Sequence, residues 1–270
     1  MIMTIVESIK KRRSVRTFTG EPLSQEHREL IKQYISELQT PFGEKARIEL
    51  ISIHSNDKPI KLGTYGFIKG AKDYLALIFE EGAFTATAAG YMFEQLLLFC
   101  TGLGLGTCWL GGSFSRSDFK KQIQLKANEK LKIVSPVGYP SYKQNFLEKY
   151  FVNADKKHAT RYPFGALFFD KDFGIPLIES AAGVYFTPLE MVRLAPSASN
   201  MQIWRVILDD KTLHFYKKPY YNFESNDIGI ALCHFELTCK ELGINGKFEV
   251  LKDFPKNDKE KIEYVISWVL

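Results

Sequence analysis

The chain has 270 residues, with 36 Lys and Arg against 31 Asp and Glu, a net charge of +5, and 45% hydrophobic and 14% aromatic residues. These values exclude collagen-like, linker and disulfide-scaffold classes and supply enough apolar material for a sizeable core. Cys100, Cys108, Cys233 and Cys239 form no CxxC pair, so they are expected as reduced, buried small hydrophobes of a metal-free cytoplasmic protein.

The N-terminus, MIMTIVESIKKRRSVRTF, places its apolar residues ahead of a basic cluster and has no apolar run of signal-peptide length. Ser24 reads as a helix N-cap, and Leu30, Ile31, Tyr34, Ile35 and Leu38 share one face of a helix that stops before Pro41 and Gly43. Arg47 to Ile53 alternates like a strand, and the apolar run Tyr74 to Phe79 suits a strand buried on both faces. A long buried helix is expected from Phe84 to about Leu103, and another strand from Ile133 to Val137. Gln95 to Ser115 holds no charge over 21 residues, but five glycines make it a buried helix running into a loop rather than a membrane span.

The second part repeats this grammar. A helix around Leu189 to Leu194 precedes strands at Trp204 to Leu208 and Leu213 to Tyr216, a helix from Asp227 to Leu242, and strands at Phe248 to Leu251 and Ile262 to Val269. Sliding the chain by 139 residues lays Gly90 on Gly229, Cys100 on Cys239, Leu103 on Leu242, Gly104 on Gly243 and Leu105 on Ile244. An internal duplication is therefore expected.

Four segments carry candidate chemistry. Arg12, Arg13, Ser14 and Arg16 gather three guanidinium forks and a hydroxyl, which suit phosphate oxygens, although alone such a cluster is most often a solvated face. GLGLGT, Gly102 to Thr107, has the wrong glycine spacing for a dinucleotide loop and follows a helix, so it reads as a left-handed helix cap. Beyond it, Leu110, Gly111 and Gly112 would let a planar ligand approach the backbone. Pro196, Ser197, Ala198 and Asn200 form a small polar turn between a helix and a strand, and Lys156, Lys157 and Arg161 make a second basic group. The five histidines have no metal-like spacing, and no serine sits in a nucleophile elbow. The spread-out charge gives little reason to expect nucleic-acid binding.

In this order RRSVRTF, AAGYMFEQLLLFCTGLGLGTCWLGGSF, IVSPVGYP, the basic stretch before PFGALFF, and PSASNMQIW resemble the nitroreductase superfamily of FMN-dependent oxidoreductases over nearly the whole chain. The late arrival of PSASN is similar to the branch in which two nitroreductase halves are fused in one chain. The resemblance implies an α+β fold, a nitroreductase-like sheet with flanking helices, duplicated as an intramolecular pseudo-dimer. Its first half would span residues 1–170 and its shorter second half residues 171–270.

It also implies that Arg12, Arg13, Ser14 and Arg16 hold the FMN phosphate and ribityl oxygens, with Lys157 and Arg161 assisting. Pro196, Ser197, Ala198 and Asn200 would line the flavin ring and ribityl side, and Leu110, Gly111 and Gly112 would face N5. Ile203 stands where the family usually has Pro, and no Glu faces N5. The implied activity is hydride transfer from NADH or NADPH through the flavin to a small electron-poor acceptor, a nitroaromatic or quinone; the alternative is a non-catalytic flavin-binding or flavin-delivering protein. With one RRSVR and one PSASN, one FMN per chain is expected, whether or not the chain pairs further with itself.

Overall fold

The computed structural model describes residues 3–44, 46–53, 62–141, 160–219, 223–256 and 261–270. Along them run α1 (Ile5–Lys11), α2 (Gln25–Glu37), β1 (Arg47–Ser52), β2 (Asp73–Phe79), α3 (Thr85–Gly102), β3 (Gly106–Thr107), α4 (Arg116–Lys120) and β4 (Lys130–Gly138). There follow α5 (Phe164–Leu167), β5 (Phe168–Asp170), α6 (Phe186–Leu194), β6 (Trp204–Asp209), β7 (Thr212–Lys217), α7 (Glu224–Glu241), β8 (Lys247–Glu249) and β9 (Glu263–Val269). The fold is of the mixed α+β class expected.

The first sheet has the order β1-β2-β4-β3, with every pair antiparallel. Strand β2 is buried at every position because both of its faces are covered. Leu75, Leu77 and Phe79 pack with Ile31 of α2 and Met92, Phe93 and Leu96 of α3. Tyr74, Ala76 and Ile78 point the other way, toward Phe114 and Phe119. The second sheet has the order β5-β6-β7-β9-β8, so its last four strands repeat the order of the first sheet. Strand β5, just ahead of the 170/171 division, pairs parallel with β6 and so belongs to the second sheet.

Helices α3 and α7 lie between the sheets and match each other closely under the 139-residue shift. Each has 18 residues, and each starts after a phenylalanine in the bridge region, Phe84 (φ −110°, ψ 1°) and Phe223 (φ −116°, ψ 2°). Each ends alike: Leu105 N–H donates to Cys100 O and Ile244 N–H to Cys239 O, both at 2.9 Å, after left-handed Gly104 (φ +78°) and Gly243 (φ +69°). They cross at glycines. A Cβ on Gly90 would sit 2.8 Å from the Asn226 carbonyl carbon, and one on Gly229 would sit 2.9 Å from that of Thr87. Residue 87 maps onto 226 and 90 onto 229, so each helix offers the other the same contact, as in a two-fold interface.

Some boundaries differ from the sequence reading. Helix α6 starts at Phe186 and α7 at Glu224, each three residues before the expected start. The strand expected over Phe248 to Leu251 leaves the ladder after Glu249, because the Leu251 N–H donates to the Tyr264 hydroxyl instead (3.0 Å). All four cysteines are buried, and none forms a disulfide. Burial lifts the Cys100 and Cys239 thiols to about 12. Among the described residues no helix is long and apolar enough to cross a membrane, and no group of His, Cys, Asp and Glu could hold a metal.

Candidate functional site

The basic motif is placed by the end of α1. A capping box, Thr4 with Glu7, starts this helix, and Arg12 is its C-cap, where the backbone turns extended (φ −58°, ψ 129°). From there the chain runs beside β3. The Val15 N–H donates to Thr107 O (2.8 Å) and Ser14 bridges to Thr107. Gly106 is required here because a Cβ would lie 2.8 Å from Val15 Cβ. Gly104 is thus the left-handed helix cap expected of GLGLGT, and Gly106 serves a close strand approach that the sequence did not indicate.

Arg12 turns inward; its side chain is only 7% exposed, and its Nε lies 3.5 Å from Oε1 of the fully buried Glu94. Its Nη1 is buried without a hydrogen-bond partner. Arg13 faces solvent, and Arg16 is half-buried, its carbonyl accepting from the Lys69 N–H (2.9 Å).

Arg161, just ahead of α5, reaches the polar turn between α6 and β6. Its Nη1 donates to Asn200 Oδ1 and its Nη2 to the Leu194 carbonyl (3.0 Å), while its Nε is buried and unpartnered. Burial, with a smaller part from the nearby charges of Arg12 and Arg193, lowers its pKa to about 10, so the guanidinium groups of Arg12 and Arg161 share one region and Arg161 remains charged near neutrality. Lys157 lies outside the described residues.

The turn itself is held in an unusual backbone. Ser199 (φ +50°), Asn200 (φ +55°) and Gln202 (φ +47°) all adopt the left-handed region, which costs non-glycine residues about 1 kcal/mol or more each. Hydrogen bonds compensate: Gln202 N–H donates to Ser197 Oγ (2.9 Å), Gln202 Nε2 to Asn200 O (3.0 Å), and Ala198 N–H to Asp227 Oδ2 on α7 (3.0 Å). Pro196, Ser197, Ala198 and Asn200 are all partly exposed, as a ligand-facing turn requires.

In the third segment, Leu110 differs from its expected role. Its N–H and C=O both pair with Val134 (2.9 and 3.0 Å) and its side chain is buried, so only Gly111 and Gly112 remain to present backbone to a ligand. Arg116 Nη2 holds the Gly111 carbonyl (2.9 Å), which turns the N–H of the same peptide, that of Gly112, the opposite way. Gly111 lies under the Phe223 ring, where a Cβ would be 2.8 Å from Cζ. Phe223 and Arg116 also line a cavity of about 250 Å³ with Phe79, Glu81 and Lys132.

The family whose model matches residues 4–239 is described as "Putative TM nitroreductase". The chain belongs to this nitroreductase family. A solved structure from Thermotoga maritima, described as a "putative nitroreductase", is similar over 100% of this chain and 95% of its own, at 20% identity and a TM-score of 0.65. That likeness speaks for the fold. A "putative nitroreductase" from Desulfovibrio desulfuricans, solved in complex with FMN, is 22% identical with a TM-score of 0.40, covering 54% of this chain and 94% of its own. No curated protein matches the chain.

Sequence reasoning missed the residues that tie the segments together. Glu94 accepts from Trp109 Nε1 (2.7 Å), from the His234 ring (3.0 Å) and faces Arg12. A signal was present: Glu94 is the lone charge between Ala83 and Ser115, and an acid inside a buried helix needs partners. Asp227 carried no such signal, because an acid near a helix N-terminus is common, and nothing in the sequence sets Arg116 apart from the chain's other basic residues.

Proposed function

We propose that this nitroreductase-family chain is an FMN-dependent oxidoreductase, driven by NADH or NADPH and acting on a small electron-poor acceptor such as a nitroaromatic or quinone. The carrying observation is the pair of guanidinium groups, Arg12 and Arg161, each with a buried N–H group left without a partner. Buried donors are almost always satisfied, and two unsatisfied cationic ones side by side fit a dianionic phosphate oxygen cluster. The residues present therefore fit the cofactor's phosphate end. Arg12 and Arg161 would hold it, Ser14 and Arg16 adding contacts along the ribityl chain.

The strained turn of Pro196, Ser197, Ala198 and Asn200 would edge the flavin from the second half, and Gly111 and Gly112 would approach its ring from the first. FMN, when bound, supplies two-electron chemistry, taking hydride from the nicotinamide and releasing it to the acceptor. The protein's part is to fix position, to offer the Gly112 N–H toward the ring, and to screen the site with Phe223 and Trp109.

The same reading holds that the two halves form a built-in pseudo-dimer with one site. The reciprocal glycine crossing of α3 and α7 supports it. So does the state of the pseudo-symmetric location, where Phe248 and Val250 stand at the positions of Trp109 and Gly111. There Phe42, from the segment replacing the PSASN turn, packs against Phe84, Tyr91 and Phe248 with ring centroids 5.7 to 6.1 Å apart, filling the place with aromatic side chains.

The test is flavin content and reduction. Released flavin should amount to one FMN per chain, and bound flavin should bleach on adding NADH or NADPH under nitrogen. Flavin that stays oxidised points to a binding or delivery protein instead. A protein that neither carries nor takes up FMN overturns the proposal.

A further inference from the structure

Glu94 and His234 form a buried pair with 0% side-chain exposure, one on each of the crossing helices, out of reach of any solvent. His234 Nδ1 lies 2.9 Å from the Met191 carbonyl, and a carbonyl can only accept, so Nδ1 carries a proton. Nε2 faces Glu94 Oε1 at 3.0 Å. A bare Nε2 lone pair against a carboxylate would be repulsive, so one further proton is shared between them, and the pair is neutral as a unit. Arg12 Nε sits farther from the same oxygen, at 3.5 Å.

The glutamate's charge is thereby balanced by His234, and the charge of Arg12 stays available. We infer that His234, which touches no ligand, is a positioning and charge-setting residue for the Arg12 arm of the anion site. Without its proton, Glu94 would turn its full charge on Arg12 and compete with any phosphate there.

The pseudo-symmetry sharpens the assignment. Under the 139-residue shift Glu94 maps onto Cys233 and His234 onto Gln95, so the corresponding pair across the crossing is Cys233 with Gln95, which carries no charge. The ionisable pair occurs on the side that has the basic motif and is replaced by neutral residues on the side that lacks it. Helix packing alone would ask the same of both sides. Met191 adds a second link, since it lies in α6, the helix that leads directly into the strained turn.

This inference rests on the FMN reading and deepens it, and the test separates the two. The ratio of FMN to riboflavin affinity on flavin-stripped full-length protein isolates the phosphate's share of binding. Wild type should prefer FMN strongly. His234→Gln should lower that ratio about tenfold or more while leaving riboflavin affinity unchanged, because Glu94 now neutralises Arg12. Adding Glu94→Gln to that variant removes the competing charge, and the ratio should return to within about threefold of wild type. A pair with a merely structural role predicts the reverse, the double variant falling at least as low as the single.

An unchanged ratio in His234→Gln, or no recovery in the double variant, overturns the inference. A wild type with equal affinity for FMN and riboflavin overturns the phosphate assignment itself. If His234→Gln does not fold, nitrogen NMR of the wild-type ring decides: a shared proton at Nε2 supports the charge balance, and a bare Nε2 ends it.

Discussion

The crossing of α3 and α7 makes the sharpest stability prediction. In Gly229→Ala the new Cβ would stand 2.9 Å from both the Thr87 carbonyl carbon and the Tyr91 nitrogen, and nearer still to the Thr87 oxygen. Comfortable contact begins at 3.4 Å, so to clear the Thr87 oxygen the helices must part by about 1 Å or more, and the atoms in the way are backbone, which has no rotamer to escape into. Overpacking of this kind costs about 1–3 kcal/mol, and helix separation adds voids around Tyr91, Phe235 and Leu232 at the high end of that range. Alanine's better helix propensity returns at most about 1 kcal/mol. A net loss of about 2 kcal/mol corresponds to a melting temperature lower by roughly 4–8 °C for a chain of this size.

Gly90→Ala should do the same through Asn226, and the double variant should lose less than the sum of the singles, since one displacement relieves both clashes. Thermal melts followed by circular dichroism measure all three. A Gly229→Ala melting temperature within 1 °C of wild type would refute the close approach.

Three further outcomes are expected. Arg12→Ala should weaken FMN by about tenfold or more with little change in riboflavin, read by titration of the flavin-stripped protein; equal losses for both would remove Arg12 from the phosphate. Gly111→Val should alter the bound-flavin spectrum or turnover in a folded protein by displacing the Phe223 ring, and an unchanged spectrum would make Gly111 a turn residue only. Glu129, gripped by Arg47 and by the Lys126 N–H, is held down at about 2. Because its pKa is lowered on folding, its contribution is complete above the ordinary carboxylate range and is lost as pH falls toward 2. The stability gap between wild type and Arg47→Ala should therefore narrow from pH 7 to pH 3 in urea melts, and a constant gap would show that the ion pair is irrelevant.

How far the fold was legible depended on how local its determinants are. The α2 stripe, the apolar run of β2 and the glycine caps of α3 and α7 each state their structure within a few residues, and the structure agrees with them. The boundaries that moved were set from a distance: Tyr264 takes the Leu251 N–H, and Asp227 lies inside α7 with its carboxylate turned to Ala198. For the candidate site, the sequence indicated the segments but not their roles within the motif. Nothing in RRSVR says that Arg12 is buried while Arg13 faces solvent; that follows from the extended turn after α1. Likewise Leu110 pairs with Val134 because the loop after β3 passes back along β4, a contact spanning 24 residues of chain.

The two halves illustrate why symmetry in a fold does not require symmetry in a site. What the crossing needs is space, and glycine supplies it equally at positions 90 and 229. What an anion needs is a charged donor left to bind it, and Arg12 and Arg161 each keep a buried N–H without a partner. The proposed site would draw on both parts of the chain. The earlier part would bring the guanidinium groups and the glycine loop, and the later part the strained turn, which Asp227 anchors through the Ala198 N–H. If the turn's left-handed residues are maintained by that anchor, the energy stored there depends on α7 remaining docked on α3. Shape at the helix crossing and the conformation of the turn are thus coupled through one helix, so a substitution at Gly229 should disturb the turn through α7, whose Asp227 holds Ala198 across 29 residues of chain.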